Sequence, residues 1–120
     1  MRGGRMRRVD EAMREVLSDA IAKDLKDPRI GFITVTGVKT STDLRHARVF
    51  VSVLGDDDAR AASIEGLSSA HGVLQRRVAA ELKLRHTPSL SFEYDESVAR
   101  GMRISRLLDE QIAKEGPDDH

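Results

Sequence analysis

Arg76, Arg77, Lys83 and Arg85 place four cations within ten residues, with Glu81 the only carboxylate among them. Guanidinium and ammonium groups so spaced can pair with successive phosphates of a polyanion. Immediately upstream, Ser69-Ala70-His71-Gly72 interrupts a helix-rich stretch running from Ala59 to Leu84. A glycine inside a helix costs about 1 kcal/mol relative to alanine. Gly72 therefore reads either as a packing glycine or C-cap, or as the joint between two helices. In the second case its missing Cβ lets a foreign backbone come close. The helix that starts there then offers unpaired N–H groups and a partial positive charge to a phosphate. On that reading a valine at position 72 strains the joint. His71 can stack on a base or bond a phosphate, and equally fits an exposed residue of the joint.

A second basic set lies at the start of the chain, where Arg2, Arg5, Arg7, Arg8 and Arg14 face only Asp10 and Glu11. Arg45 and Arg48 lie on an expected strand pair, with Lys39 near its turn. Taken singly, each of these fits a solvated arginine as well as a contact; as a set, the Arg76–Arg85 cluster is the stronger candidate. His46 and His86 stand in no partner pattern. The overall balance is neutral, 20 basic against 20 acidic side chains, so any polyanion site depends on the local field.

Other chemistries find little support. There is no cysteine, which excludes disulfides and thiolate metal sites and suits a reducing cytoplasm. No G-x-S-x-G elbow, Walker loop, G-x-G-x-x-G or H-E-x-x-H sequence occurs, and neither enzyme activity nor a cofactor is expected. Asp56-Asp57-Asp58 follows Gly55 at a helix start, where carboxylates cap free N–H groups; no further ligands stand at metal-binding spacing. No apolar run approaches the ~20 residues that span a bilayer.

The 120 residues suffice for one domain. Phe32, Phe50, Phe92 and Tyr94 are the only aromatics, so the core must be aliphatic. Val9, Met13, Val16, Leu17, Ala20 and Ile21 form one face of an amphipathic helix that ends near Lys26-Asp27-Pro28. Strands follow at Phe32–Lys39 and Ala47–Val53, joined by a short polar loop and hence antiparallel. After the Gly72 break, Leu74, Val78 and Leu82 form a helical seam, with Arg76 and Lys83 opposite and Arg77 on the flank. Thr87-Pro88 stops this helix, and Leu90, Phe92 and Tyr94 alternate as a third strand. Ser97 can cap a last helix lined by Ile104, Leu108 and Ile112, before Gly116-Pro117. The expected order is α-β-β-α-kink-α-β-α, an α+β domain whose three-stranded sheet carries helices on one face. Residues 1–6 are expected as a flexible basic arm, 7–115 as the domain and 116–120 as a disordered acidic tail.

That order, with a bent helix pair between the second and third strands, resembles the KH fold in its prokaryotic (type II) form. KH domains carry a GxxG loop between the paired helices that clamps nucleotides. Here the tetrapeptide lacks the first glycine, and Ala70-His71-Gly72 stands as an AxG kink. This kink resembles the ribosome-binding factor A family. So do Arg7-Arg8-Val9-Asp10-Glu11, Lys26-Asp27-Pro28-Arg29-Ile30, the run Asp43-Leu44-Arg45-His46-Ala47-Arg48-Val49-Phe50, and Ile104-Ser105-Arg106-Leu107-Leu108. The likeness covers about residues 6–115.

The resemblance implies a non-enzymatic protein of the cytoplasm that binds the free or immature 30S small ribosomal subunit. It would contact 16S rRNA near the decoding region and support late maturation, including the 5′-terminal helix, with a link to growth in the cold. It also implies a monomer whose release involves a ribosome-associated GTPase. Two alternatives remain open: a general KH-type single-strand RNA-binding protein or RNA chaperone, and a protein-interaction module.

Overall fold

The computed structural model describes residues 4–97. They form α1 (Gly4–Asp24), β1 (Ile33–Thr40), β2 (His46–Val53), α2 (Asp57–Ser69), α3 (His71–Leu82) and β3 (Ser89–Tyr94). The sheet order is β1-β2-β3, with β1 antiparallel and β3 parallel to β2. The parallel return needs a crossover, and the α2–α3 pair supplies it. This is the α+β, KH-like arrangement expected from the sequence. The last helix, with Ile104, Leu108 and Ile112, and the tail at 116–120 lie outside the described residues.

Period-2 alternation in β2 turns Ala47, Val49, Val51 and Val53 onto the helix-covered face, where all four are buried. From α1, Met13, Leu17, Ala20 and Ile21 meet them, as the apolar spacing requires; Leu74 and Val78 come from α3, Leu67 from α2. Burying a leucine or methionine of this kind contributes about 1.5–3 kcal/mol. Phe92 is the one aromatic in this core, so aliphatic packing carries it.

β1 needs an adjustment that simple alternation hides. Val35 pairs with Val51, but Gly37 pairs with Phe50, leaving Thr36 as an extra residue in a bulge. The extra residue shifts the parity of β1. Ile33 and Val35 therefore face the core before the bulge, Val38 and Thr40 after it. Thr36 Oγ1 contacts Phe50 O at 3.2 Å and Asp95 Oδ2 at 2.6 Å, fastening the bulge across the sheet.

Several boundaries differ from the sequence reading. Helix α1 begins at Gly4, so Arg5 stands on a helical turn rather than in an arm. The break between α2 and α3 is a single residue, Ala70, with φ −93° and ψ 8°; Gly72 belongs to the first turn of α3. Helix α3 ends at Leu82, well before Pro88, because Lys83 adopts the left-handed conformation (φ 49°) and closes the last turn through its N–H to Ala79 O. β1 starts one residue late, leaving Phe32 outside it. The acidic triplet behaves as expected: Asp56 Oδ1 accepts from Ala59 N–H at 2.9 Å and caps α2.

The glycine that packing requires is Gly66, not Gly72. A Cβ on Gly66 would lie 2.7 Å from Ile30 Cγ1 and 3.5 Å from Asp27 Oδ2. Here α2 presses on the Asp27–Ile30 turn. Asp27 Oδ1 accepts the Arg29 N–H at 2.9 Å, Asp27 pairs with the Arg29 guanidinium, and Arg29 reaches Glu65 at 3.2 Å. Buried Ser63 fills the remaining polar need, accepting from Gly31 N–H and donating to Arg29 O. The Lys26–Ile30 run is thus a structural turn seated against α2.

Candidate nucleic-acid interface

The start of α3 is built from backbone. Ala70 N–H is shared by Gly66 O and Leu67 O, which ends α2, while Ala70 O accepts from Leu74 N–H and opens α3. No side chain caps this N-terminus. A Cβ on Gly72 would find only Arg76 Nη1, at 3.8 Å. Gly72 is therefore not strained and not needed for internal packing, which overturns the expectation that a larger residue there strains the joint. The same measurement shows the Arg76 guanidinium lying back over the first turn. That is natural, because Arg76 follows Gly72 by four positions and helical side chains lean toward the N-terminus. An uncapped helix start and a guanidinium then share one small open surface, a favourable place for a phosphate.

His71 stands at the same place, exposed. Its Nδ1 is 2.8 Å from Ser68 O. A carbonyl only accepts, so Nδ1 carries a proton and donates it to that oxygen. Arg76, Lys83 and Arg85 are all exposed and enter no ion pair among the described residues. Lys83 sits at the C-cap, so it does not project from the helix face beside Arg76 as its spacing suggested.

Arg77 departs from the expected cluster. Its Nη2 donates to Asp19 Oδ2 at 2.7 Å, its Nε to Glu81 Oε2 at 2.8 Å, and its Nη1 to Asp24. Only 26% of the side chain is exposed. The guanidinium clamps α1 to α3 and is not turned toward an outside phosphate. Glu81, Asp19 and Asp24, in that order, hold its pKa above the ordinary arginine value. Lys23 and then Arg77 hold Asp19 below the usual carboxylate range. Arg29 does the same for Asp27, and Arg48 for Glu93.

These depressed carboxylates set the sign of the pH dependence. Each binds its proton more weakly folded than unfolded, so the stability it adds is present above the ordinary carboxylate pKa of ~4 and lost as pH falls through the lower folded value. We expect the melting temperature to hold from neutral pH to about 5 and drop below about 4. Arg77→Gln should lower the neutral-pH melting temperature and flatten the acid drop, whereas Arg76→Gln should do neither. Thermal melts across pH measure both.

The remaining candidates divide by partner. Arg5, Arg7 and Arg8 are exposed on the first turns of α1. Arg14 pairs with Glu11, its Nε 3.1 Å from both carboxylate oxygens. Arg7 and Arg14 share a shallow cleft of about 320 Å³ with Asp10 and Glu11, a mixed rather than basic lining. Arg48 makes a two-point pair with Glu93 at 2.7 and 2.9 Å and lies over the Phe50 ring. Arg45 is exposed and only loosely paired with Asp43, at 4.0 Å. So Ala70, His71, Gly72 and Arg76 come together, Lys83 and Arg85 follow beyond the end of α3, and Arg14, Arg48 and Arg77 are engaged internally.

Two features escaped the sequence reading. Arg60 lies over the Tyr94 ring at 4.5 Å, and Phe32 and Leu54 are 81% and 74% exposed. Phe32 next to a strand and Leu54 beyond one carried the signal, since each lies just past the alternating pattern. Among the described residues no helix is long and apolar enough to cross a membrane, and no group of His, Asp or Glu could hold a metal ion.

Comparison with known proteins bears directly on this arrangement. The family profile for ribosome-binding factor A matches residues 5–108. A ribosome-binding factor A of Anaeromyxobacter sp. (strain Fw109-5) is 55% identical over 109 residues, covering 90% of this chain and 89% of that one. The crystal structure of ribosome-binding factor A from Thermus thermophilus superposes with a TM-score of 0.66 at 26% identity, over 74% of this chain and 94% of that one. A homology model of the Thermus thermophilus factor, as fitted into a cryo-EM map of a complex of that factor with the 30S subunit, gives a TM-score of 0.60 at 25% identity, over 72% of this chain and 91% of that one. A KH-like order, an altered GxxG site and a profile match over nearly the whole chain agree: this chain belongs to the ribosome-binding factor A family.

Proposed function

We propose that this protein binds the free or immature 30S small ribosomal subunit by contacting 16S rRNA with the start of α3. One observation carries the reading: the Arg76 guanidinium lies over an uncapped helix N-terminus, beside a glycine with open space around it. His71 is exposed beside it, and Lys83 and Arg85 add cations beyond the far end of α3. The fitted coordinates of the Thermus relative in its 30S complex support the same partner. With only the second glycine of a GxxG loop, the site suits the backbone of folded rRNA better than a four-nucleotide clamp. That weighs against a general single-strand binder or RNA chaperone.

Arg5, Arg7, Arg8 and Arg45 supply secondary contacts in this reading. The protein acts without catalysis, as a cytoplasmic monomer, in late 16S rRNA maturation including the 5′-terminal helix. It supports adaptation to cold, and its release is linked to a ribosome-associated GTPase.

Sedimentation of cell extract tests the partner. The protein should travel with free small subunits and be depleted from seventy-S particles. Recovery only at the top of the gradient at low salt would refute the assignment. Equal affinity for naked single strands and for immature subunits would favour the general binder instead.

A further inference from the structure

Charge is sorted along the sheet, and the two ends differ in kind. Where β2 and β3 begin, the 41–45 and 83–88 loops meet, with Ser89 N–H donating to Arg45 O at 2.8 Å. These loops carry Arg45, Lys83 and Arg85 against one acid, Asp43. Where β2 and β3 finish, segments 54–58 and 95–97 carry Asp56, Asp57, Asp58, Asp95 and Glu96 and no basic residue. Two arginines flank this second end, and both are already engaged. Asp57 pairs with Arg60 at 3.1 Å, while Asp27 and Glu65 pair with Arg29. Among the described residues this end therefore presents a negative field.

The acidic end is also where the most exposed large apolar side chains stand. Phe32 precedes β1 and Leu54 follows β2, and the antiparallel pairing makes them neighbours, with Leu54 N–H donating to Phe32 O at 3.1 Å. Both line a groove of about 460 Å³ together with Val53, Gly55, Arg60 and Tyr94. Phe32 also borders a second groove, of about 370 Å³, whose lining includes Ile21, Leu25, Ile30 and Ile33. Exposed apolar side chains set within a charged rim have the anatomy of a protein interface. Phosphate is repelled by such a rim, whereas ammonium and guanidinium groups are drawn to it.

We infer that this end of the sheet docks a lysine- and arginine-rich protein segment of the small subunit. The segment seats an apolar side chain beside Phe32 and Leu54 and sets its cations against Asp58 and Glu96, both exposed. This docking rests on the reading that the start of α3 binds the small subunit, and adds a protein contact to it. The sign of the charge selects the partner. An rRNA strand here would face five carboxylates, Asp56, Asp57, Asp58, Asp95 and Glu96, but a protein that neutralises phosphates elsewhere on the subunit brings cations of its own.

Charge reversal gives opposite signs for the two classes of partner. In the full-length protein, Asp58→Lys combined with Glu96→Lys should weaken binding to immature small subunits by about threefold or more at low salt, and by less at high salt. Tighter binding would place rRNA at this end and overturn the inference, and unchanged affinity would overturn it as well. Leu54→Ser, at an exposed position outside the core, should cost about fivefold in affinity with the melting temperature and the salt slope unchanged; full affinity would remove the apolar anchor and with it the inference. A photoreactive residue at Leu54 should crosslink to a ribosomal protein, through a peptide that carries Lys or Arg near an apolar residue. Crosslinks from position 54 to rRNA, to a second copy or within this chain would overturn the inference. Subunits that hold the wild-type protein yet ignore all these changes would leave the α3 contact standing and remove only this one, whereas failure of the wild type to bind would remove both.

Discussion

Replacing Arg76, Lys83 and Arg85 together by alanine should weaken binding to immature small subunits and leave the fold intact. All three are exposed and unpaired among the described residues, so the change in folding stability should stay within about 0.5 kcal/mol. Each phosphate neutralised on single-stranded RNA contributes about 0.7 to the log–log salt slope, so loss of three contacts should lower that slope by about 2. Affinity measured between low and physiological salt reads both effects. Arg77 is left out deliberately. Its removal would open the clamp on Asp19, Asp24 and Glu81 and confuse lost folding with lost binding. An unchanged slope would move the contact to Arg5, Arg7 and Arg8 on α1.

Gly66→Val and Gly72→Ala should have opposite effects on stability. At position 66 the first added carbon falls 2.7 Å from Ile30 Cγ1. Ile30 cannot withdraw freely, because Asp27, Arg29 and Glu65 fix the turn that carries it. Overpacking of this kind costs about 1–3 kcal/mol, a large share of the roughly 5–15 kcal/mol that holds a domain together. At position 72 the added carbon meets nothing closer than 3.8 Å. Alanine there should stabilise α3 by up to about 1 kcal/mol, yet weaken subunit binding by narrowing the approach to the helix start. Urea midpoints and subunit affinities for the two variants separate a packing glycine from an approach glycine. Equal destabilisation by both would contradict these roles.

The element order was legible because its signals are local: the i, i+4 spacing of Met13 and Leu17, the alternation of Ala47 through Val53, the carboxylate before α2. What stayed hidden depends on contacts distant in sequence. The Thr36 bulge shows itself only when β1 is paired residue by residue with β2. Gly66 looks like any helical glycine until the Ile30 turn is placed against it. Arg77 reads as a surface cation because two of its partners, Asp19 and Asp24, lie more than fifty residues away. The left-handed turn at Lys83 has no glycine to announce it. At the candidate site the sequence supplied the residue types at the α2–α3 junction. It misplaced the break by two residues and gave Gly72 a conformational role that the backbone does not require.

The start of α3 as an rRNA contact is tested most directly by crosslinking. A photoreactive residue at His71, in protein bound to immature small subunits, should form crosslinks to 16S rRNA with higher yield than the same probe at Ser91 in β3. Mapping the crosslinked nucleotides would then place α3 on the subunit. Crosslinks from position 71 to ribosomal proteins alone, or yields to rRNA no greater than from position 91, would contradict the account.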